Sequence, residues 1–366
     1  PPKDKAWMRP DEYDHLIEDP TGYLYSVWLP RVSGEVGRAA VGPSYRGTVA
    51  LVKSAMAMWD YFLAFGTQAE RMRVDCAMPG ALCGILKAPL DILADKLRGY
   101  LGLVHDLRKQ PDKVLRACQA LAPHLAHVAR ASADPEKLLP IGHWMHRSCV
   151  PFVTPEHFAT IHWPTLKPIV ESLWAAGHQT LFYAEGDWDA HLGAFAELPA
   201  GSIVYHVDQG EMASAHERLG ERFCLSGGVP NTLLSMGAPD QVRAHCRETI
   251  ERYGQEGGFI LDANAIVQND ARIENVKAMV EAGREFGSYG GEPCADEPAP
   301  FGPEPGFQPT DMSRWSTERL PGVCLPWQEK VAELPPLRAR PELAQRIWEN
   351  LDEFGYAFIW HCLVSF

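Results

Sequence analysis

The sequence predicts an α/β protein built from parallel strands and crossover helices. In the middle of the 366-residue chain, short apolar runs alternate with amphipathic helical stretches. The runs cover residues 138–143, 180–184, 202–207, 222–225 and 258–261. Parallel strands cannot be joined by hairpins and need a crossover, which is usually a helix. Five such repeats therefore predict a parallel sheet, either a closed barrel or an open doubly wound sheet.

The helices that follow these runs are predicted from apolar residues at helical spacing. They cover residues 154–176, 213–219, 239–253 and 273–286, with one further short helix after residue 184. Residues 1–134 show the same spacing in three stretches, at 48–65, 90–107 and 112–131. Pro89 and Pro111 stand at helix starts, where a missing N–H costs little. The first third of the chain is therefore predicted to be mainly helical.

The end of the chain has a different composition. Residues 288–314 are rich in Gly, Pro and acidic residues, which predicts an irregular excursion or linker. Residues 341–355 have a helical pattern, and residues 356–366 are strongly apolar, so we expect that tail to pack on the body or on a second subunit. The predicted organisation is a helical part (1–134), a βα-repeat part carrying the site (135–287) and an extension (288–366).

Composition and charge narrow the classes of function. The net charge is -13, which disfavours binding to nucleic acid because phosphates would be repelled. Nine dispersed cysteines indicate reduced thiols and a cytoplasmic protein. No run of about 18 uninterrupted apolar residues is present, so no membrane span is expected. Residues 1–7 lack the apolar region of a secretory signal.

The stretch FCLSGGVPNTLLSMGAPDQV, followed by GGFILDANAIVQNDARIENVKAMVEAGREFG, lies within residues 223–287. It resembles the last two βα units of the uroporphyrinogen decarboxylase superfamily, with Gly228 at the position of that family's loop Asn. Residues 86–114, 154–173 and 182–201, and WMRPDEYDHLIEDP near the start, are similar to the branch grouped with corrinoid-dependent methyltransferases. The resemblance implies a (β/α)8 TIM-type barrel.

Two departures from the family pattern bear on this expectation. The Arg-rich M-R-Q-A-G-R-type loop of the true decarboxylases is not found in the sequence. The P-D-R-V-P-V-type strand unit that usually opens the branch members is missing as well. The first barrel strand is therefore expected to be absent, replaced by the tail 356–366, or supplied by another chain.

The reacting groups of a βα barrel lie just beyond the carboxyl ends of its strands. The residues at those predicted ends are His143, Trp144, His146, Glu185, Trp188, His206, Asp208, Cys224, Ser226, Asp262 and Asn264. Glu185 and His206 are the predicted catalytic pair. The predicted substrate-binding residues are His143, Trp144, His146, Trp188, Asp262 and Asn264, and the two tryptophans would suit an aromatic substrate.

A zinc site is one alternative that the resemblance implies. The zinc-dependent relatives use His-x-Cys where this chain has Tyr183-Ala184-Glu185, and their last Cys falls near Ala265. Other members resemble a Glu/His pattern, matched by Glu185 and His206, with Cys224 or Asp208 as the third ligand. Zinc binds carboxylate, imidazole and thiolate ligands, and a catalytic zinc ion has three protein ligands and one open coordination position.

The other interpretations need no metal. Glu185, if buried at the barrel mouth, would have a raised pKa and could act as a general acid. In structural interpretations, Glu185 caps a helix or pairs with an Arg, His206 is a core histidine, and Cys224 is a small buried hydrophobe.

The leading hypothesis for function is a methyltransferase component. It would remove a methyl group from a small substrate, with an aromatic methyl ether as one candidate, and pass it to cobalamin. Because the chain has no D-x-H-x-x-G pattern, the corrinoid is expected on a partner protein. The alternatives are a decarboxylase of the same superfamily and a non-catalytic barrel subunit of a heteromeric complex. The sequence is compatible with a homo- or a hetero-oligomer. Replacing Glu185 with Ala is expected to abolish turnover without unfolding the chain.

Overall fold

The computed structural model describes residues 6–36, 45–78, 80–255, 257–288, 302–315, 319–337 and 339–365. The chain divides into two compact units. The first consists of Pro1–Ser132, Thr160–Ile169 and Asp311–Phe366, and the second of Ala133–Ala159 and Val170–Thr310. Residues 289–301 of the predicted irregular stretch 288–314 lie outside the described residues, as do residues 1–5 of the expected amino-terminal segment.

The first unit is largely helical, as the sequence predicts, with one strand. Its elements are α1 (Tyr13–Glu18), α2 (Pro20–Tyr23), α3 (Leu29–Val32), α4 (Tyr45–Cys76), β1 (Cys83–Lys87), α5 (Pro89–Ile92), α6 (Tyr100–Lys109) and α7 (Pro111–Ala131), and, near the end of the chain, α15 (Trp327–Ala332) and α16 (Pro341–Ser365). Wider π-type turns at Leu24–Trp28 and Leu93–Leu97 continue α2 and α5. The predicted helix 90–107 is thus three shorter helical pieces.

The second unit holds the βα repeats. In chain order they are β2 (Ile141–Met145), α8 (Pro155–His157), α9 (Trp163–Ala175, which begins in the first unit), β3 (Thr180–Ala184), α10 (Leu192–Phe195), β4 (Ile203–Val207), α11 (Met212–Leu219), β5 (Cys224–Val229), α12 (Asn231–Met236), α13 (Pro239–Tyr253), β6 (Phe259–Ala263) and α14 (Ile273–Phe286). Strands β2 to β6 are parallel, and each pairs with the next along the chain. This is the predicted α/β class with a TIM-barrel-like succession of βα units, and the described residues contain six strands in all.

Alternation along the strands gives the β2–β6 sheet two different faces. On one, which we call the helix face, apolar side chains such as Phe182, Tyr205 and Val229 are buried. Phe182 meets Phe195 of α10 edge to face, with ring centroids 5.5 Å apart. Between β5, β6 and the following helices, a buried cluster forms around Val229, Leu234, Val242, Cys246 and Ala263. The opposite face, which we call the site face, is less buried and carries most of the polar residues.

The apolar tail is not a strand. Residues 341–365 form the single helix α16, so the tail does not replace a barrel strand. Its second half is buried in the first unit, where the Tyr356 hydroxyl is hydrogen-bonded to His124 Nδ1 at 2.7 Å and the Trp360 ring stacks on His124. Packing of aromatic rings explains why so apolar an end of the chain is stable in this unit.

Helix α4 departs from the expectation that no segment could span a membrane. Among the described residues it is the one helix long and apolar enough to cross a bilayer, judged by length and composition alone. Its mean hydropathy over the relevant window is 1.2, and only 11% of that window is buried. A single helix of this kind is weak evidence for a membrane span, and most residues of α4 are exposed.

Candidate functional site

The register of the sheet brings four side chains of the site face into one row. Trp144 of β2 lies opposite Tyr183 of β3, which lies opposite His206 of β4. His206 in turn lies opposite Ser226 of β5. Neighbouring residues in register point to the same side of a sheet, so the row is continuous across four strands. The rings of Trp144 and Tyr183 are 4.9 Å apart and tilted by 54°.

His206 is held on both ring nitrogens. Its Nε2–H donates to the backbone carbonyl of Asn264 at 2.9 Å, which leaves Nδ1 to accept from the Ser226 hydroxyl at 3.2 Å. The ring is 1% exposed, and this burial lowers its pKa, although the Asn264 carbonyl and the nearby carboxylates oppose the effect. A neutral histidine with both nitrogens engaged positions its neighbours and is not free to transfer protons.

Tyr183 is a partly accessible group on the site face with a perturbed pKa. Its ring stacks on His206, with centroids 4.4 Å apart and planes 8° from parallel. Burial, followed by the negative charges of Asp262, Asp208 and Glu185, raises the pKa of Tyr183 to about 12. The phenol therefore stays protonated at neutral pH and can donate a hydrogen bond to a ligand.

Three carboxylates follow the strand ends around this phenol. Glu185 follows β3 and is exposed, Asp208 follows β4, and the Asp262 side chain near the end of β6 is 52% exposed. Asp208 accepts the Gly186 N–H at 2.8 Å, which ties the loop after β3 to the end of β4. Asp262 Oδ2 lies 3.9 Å from His206 Nδ1. The edge of the site is thus acidic and open.

The carboxyl-terminal half of β5 is shaped by two glycines and held by an asparagine. Gly227 and Gly228 have φ values of 118° and 96°, which side chains with a Cβ rarely adopt. A Cβ at Gly228 would also lie 2.7 Å from the Thr249 side chain. The Gly228 N–H donates to Asn264 Oδ1 at 2.8 Å. Asn264 therefore links β5 to His206. Its side chain binds the Gly228 N–H, and its backbone carbonyl binds the His206 ring.

Two predicted substrate-binding residues lie on the wrong face of the sheet. His143 is fully buried on the helix face, where its ring meets Phe182 edge to face at 5.1 Å. Trp188 is also fully buried, packed near Phe158 and Phe195, with its indole N–H donating to the Glu185 carbonyl at 3.0 Å. Neither can line a pocket on the site face. Trp144, Asp262 and Asn264 do lie on that face or at its edge, and His146 follows β2 by one residue.

The predicted metal ligands do not fit a zinc site. Glu185 is exposed and not buried as expected. Both His206 nitrogens are hydrogen-bonded, and Cys224 opens β5, at the opposite end of the strand from the loops. Burial raises the pKa of Cys224 to about 11, which keeps it a thiol. In the part of the chain that the structure describes, no group of three or more His, Cys, Asp or Glu side chains could hold a metal ion.

Sequence reasoning missed Tyr183 as a functional residue. It appeared only as the residue standing where zinc-dependent relatives have histidine. The signal was present, because Trp144, Tyr183 and His206 occupy equivalent places in three successive strands. Only the observed register shows that those places coincide.

The fold and the site together define a TIM-barrel-like α/β protein whose polar groups gather at the carboxyl edge of parallel strands. The family model for uroporphyrinogen decarboxylase (URO-D) matches residues 71–286, well over half of the chain. The chain therefore belongs to the uroporphyrinogen decarboxylase family, and membership supports an enzyme of this family.

Individual relatives are more distant. A uroporphyrinogen decarboxylase from Methylococcus capsulatus is 34% identical over 76 residues, which are 21% of this chain and 21% of that protein. The chain thus spans about a fifth of the length of that curated relative. A solved methyltransferase from Methanosarcina mazei is 20% identical, with a TM-score of 0.44. That likeness covers 56% of this chain and 58% of the other, and it carries no conclusion about function.

Proposed function

We propose that the chain is a methyltransferase of the uroporphyrinogen decarboxylase family that removes a methyl group from a small methyl ether. The observation that carries the proposal is the protonated Tyr183, stacked on His206 at an open strand edge. The half-buried indole of Trp144 beside it offers an apolar surface for an aromatic ring. The proposed substrate class is an aromatic methyl ether.

The chemical role of Tyr183 follows from the leaving group. Breaking the methyl C–O bond of an ether leaves a negative charge on the oxygen, and a donor aimed at that oxygen stabilises it as it develops. In the proposal the Tyr183 hydroxyl keeps its proton and donates a hydrogen bond to the ether oxygen as negative charge develops there, and the departing phenolate takes its proton from solvent. His206 and Ser226 hold the row in which the phenol lies. Removing one hydrogen-bond donor to a developing oxyanion typically costs about 10²- to 10³-fold in rate.

The methyl acceptor is proposed to be a corrinoid carried by a partner protein, which supplies the nucleophile for the methyl carbon. The exposed carboxylates Glu185 and Asp262 mark an edge that a carrier protein could reach. Zinc is not part of the proposal, because the donor set described above does not fit it.

The alternative, a decarboxylase, is favoured by the family description and by the curated relative. A porphyrinogen substrate carries several carboxylates and needs cationic side chains to hold them. Among the described residues, the site-face positions of β2 to β6 and the single residue that follows each of these strands include no Arg or Lys. Arg147, the second residue after β2, lies over the Phe152 ring. The three carboxylates there would repel such a substrate.

A direct assay separates the two activities. The full chain is mixed with free cob(I)alamin and an aryl methyl ether probe, 2-methoxyphenol, and methylcobalamin is followed by absorbance while the demethylated product is followed by chromatography. Stoichiometric methylcobalamin and catechol support the proposal. Release of carbon dioxide from a porphyrinogen acid, with no methyl transfer, would establish the decarboxylase in its place.

A further inference from the structure

Helix α4 carries an exposed apolar stripe along one side. Its members are Tyr45, Val49, Val52, Met56, Trp59 and Leu63. Their exposed fractions lie between 45% and 85%, which is unusual for six large apolar residues on one helix. Residues 45–63 extend about 27 Å at 1.5 Å per residue. All six precede residue 71, where the family match begins, so the stripe lies outside the matched region.

The spacing of the stripe indicates what covers it. Successive members are four and three residues apart in alternation, which is the 3.5-residue repeat of a helix that packs along another helix. A helix that crosses a membrane alone is apolar on every side, whereas Arg46, Lys53 and Asp60 follow the stripe along one flank. The pattern favours a helical partner.

The stripe is directed away from the packing inside the first unit. Ala55 and Met58 are the buried residues of α4, and they lie on another side of the helix. On that side Phe62 meets His361 of α16 edge to face, with centroids 5.4 Å apart. Of the stripe itself, Trp59 makes a ring contact with α16, through Phe354 at 6.3 Å. Most of the stripe therefore has room for a partner.

We propose that this partner is α4 of a second copy of the chain, packed antiparallel about a two-fold axis near residue 54. In a two-fold dimer each contact occurs twice, so the surface must be complementary to itself. Centred there, Tyr45 lies opposite Leu63, Val49 opposite Trp59, and Val52 opposite Met56. Each pair but the central one joins residues of different size, which lets the two stripes interlock.

The charges of the flank select the antiparallel direction. Arg46, Lys53 and Asp60 are seven residues apart, so they lie on the same side of the stripe. In the antiparallel dimer this flank meets its own copy, which places Arg46 opposite Asp60 twice and Lys53 opposite Lys53 once. In a parallel pair it would meet Thr48, Ala55 and Phe62, which carry no charge. Arg46 is 3.4 Å from Glu35, but both are exposed, and such a pair holds Arg46 only weakly.

The first test measures mass in solution. Sedimentation of the full chain is expected to show a concentration-dependent dimer. Met56→Glu, which places a charge at the centre of the stripe, is expected to weaken dimerisation at least tenfold. Met72→Glu is the matched control, because Met72 is exposed on the same helix but lies off the stripe. Circular dichroism of both variants establishes that α4 still folds. A chain that stays monomeric, or a dimer equally stable in both variants, overturns the proposal.

The second test is a charge swap. Asp60→Arg is expected to weaken the dimer about threefold to tenfold, as two exposed ion pairs are lost. The double variant Arg46→Asp with Asp60→Arg is expected to restore it, because the pairs are re-formed in reverse. Without that restoration the antiparallel register is wrong. Flotation of the monomeric chain with phosphatidylcholine–phosphatidylglycerol vesicles, abolished by Met56→Glu, would instead assign the stripe to a membrane.

Discussion

Tyr183 and His206 lie side by side on β3 and β4 with their rings stacked, 4.4 Å apart and 8° from parallel. The stack joins a histidine whose two nitrogens are both engaged to a phenol that holds its proton. The histidine fixes the position of the ring, and the phenol keeps its proton at neutral pH. In the proposed function His206 is the positioning residue and Tyr183 is the hydrogen-bond donor.

The first prediction concerns the Tyr183 hydroxyl. Tyr183→Phe removes the hydrogen-bond donor and keeps the ring that stacks on His206. We expect methyl transfer to fall about 100-fold, the lower end of the range for losing one donor to a developing oxyanion, while the melting temperature changes little. Steady-state rates with the 2-methoxyphenol probe measure the effect. Tyr253→Phe, on α13 of the same unit, is the control and should retain its rate. A Tyr183→Phe variant as active as the parent would remove Tyr183 from the mechanism.

The sequence could predict the elements because their patterns are local. The predicted helices 239–253 and 273–286 and the strand 180–184 coincide with the observed ones. The start of α13 is fixed by Pro239, its first residue, and by the Gln241 side chain. That side chain accepts the Ala238 N–H at 2.9 Å. Such signals lie within a few residues of the boundary that they set. The α/β class followed from the same local information.

The site was harder to predict because it depends on register. His143 and Trp144 are neighbours, and alternation sends one to the helix face and the other to the site face. The sequence ended the first predicted strand at residue 143, whereas β2 is Ile141–Met145. It likewise took Cys224 for the end of a strand that begins there. Errors of two to four residues leave a fold class intact but move a side chain to the other face or the other end.

The burial of Glu185 could not be inferred from the sequence either. An acidic residue directly after an apolar strand is compatible with a closed barrel mouth or with an open edge. In the structure Glu185 is exposed, so it lacks the burial on which its predicted role as a general acid depends. The proposed function therefore assigns hydrogen-bond donation to Tyr183, two residues earlier in the sequence.

The second prediction concerns acid stability. Burial lowers the pKa of His206 in the folded chain, whereas an unfolded histidine binds a proton near pH 6.5. As the pH falls below 6.5, the unfolded state binds more protons than the folded one, so stability decreases. We expect the melting temperature to fall between pH 6.5 and pH 5, and His206→Gln to make that fall shallower. Buried His124 and His191 contribute to the remaining slope, since burial lowers their pKa values to about 3 and about 4.

The control for this experiment is His216→Gln, since His216 is exposed on α11 of the same unit. It should leave the dependence of the melting temperature on pH unchanged. If His206→Gln followed the parent curve as closely as this control does, the histidine would titrate alike in the folded and unfolded chains. The assignment of His206 as a neutral ring that is hydrogen-bonded at both nitrogens would then be wrong.

The last prediction concerns Asn275, which lies in the E-N-V segment shared with the family pattern. Its side chain is fully buried at the start of α14 and donates to the carbonyls of Leu234 and Gly237, each at 2.9 Å. These bonds hold the turn between α12 and α13, and α12 itself directly follows β5. Asn275→Ala leaves two buried carbonyls without this donor, and we expect a loss of about 1–3 kcal/mol in the free energy of unfolding. Asn275→Asp should cost more, because it sets a carboxylate against the same carbonyls. Urea unfolding of both variants measures the loss, and equal stability of the parent and Asn275→Asp would show that the family's asparagine does not hold this turn.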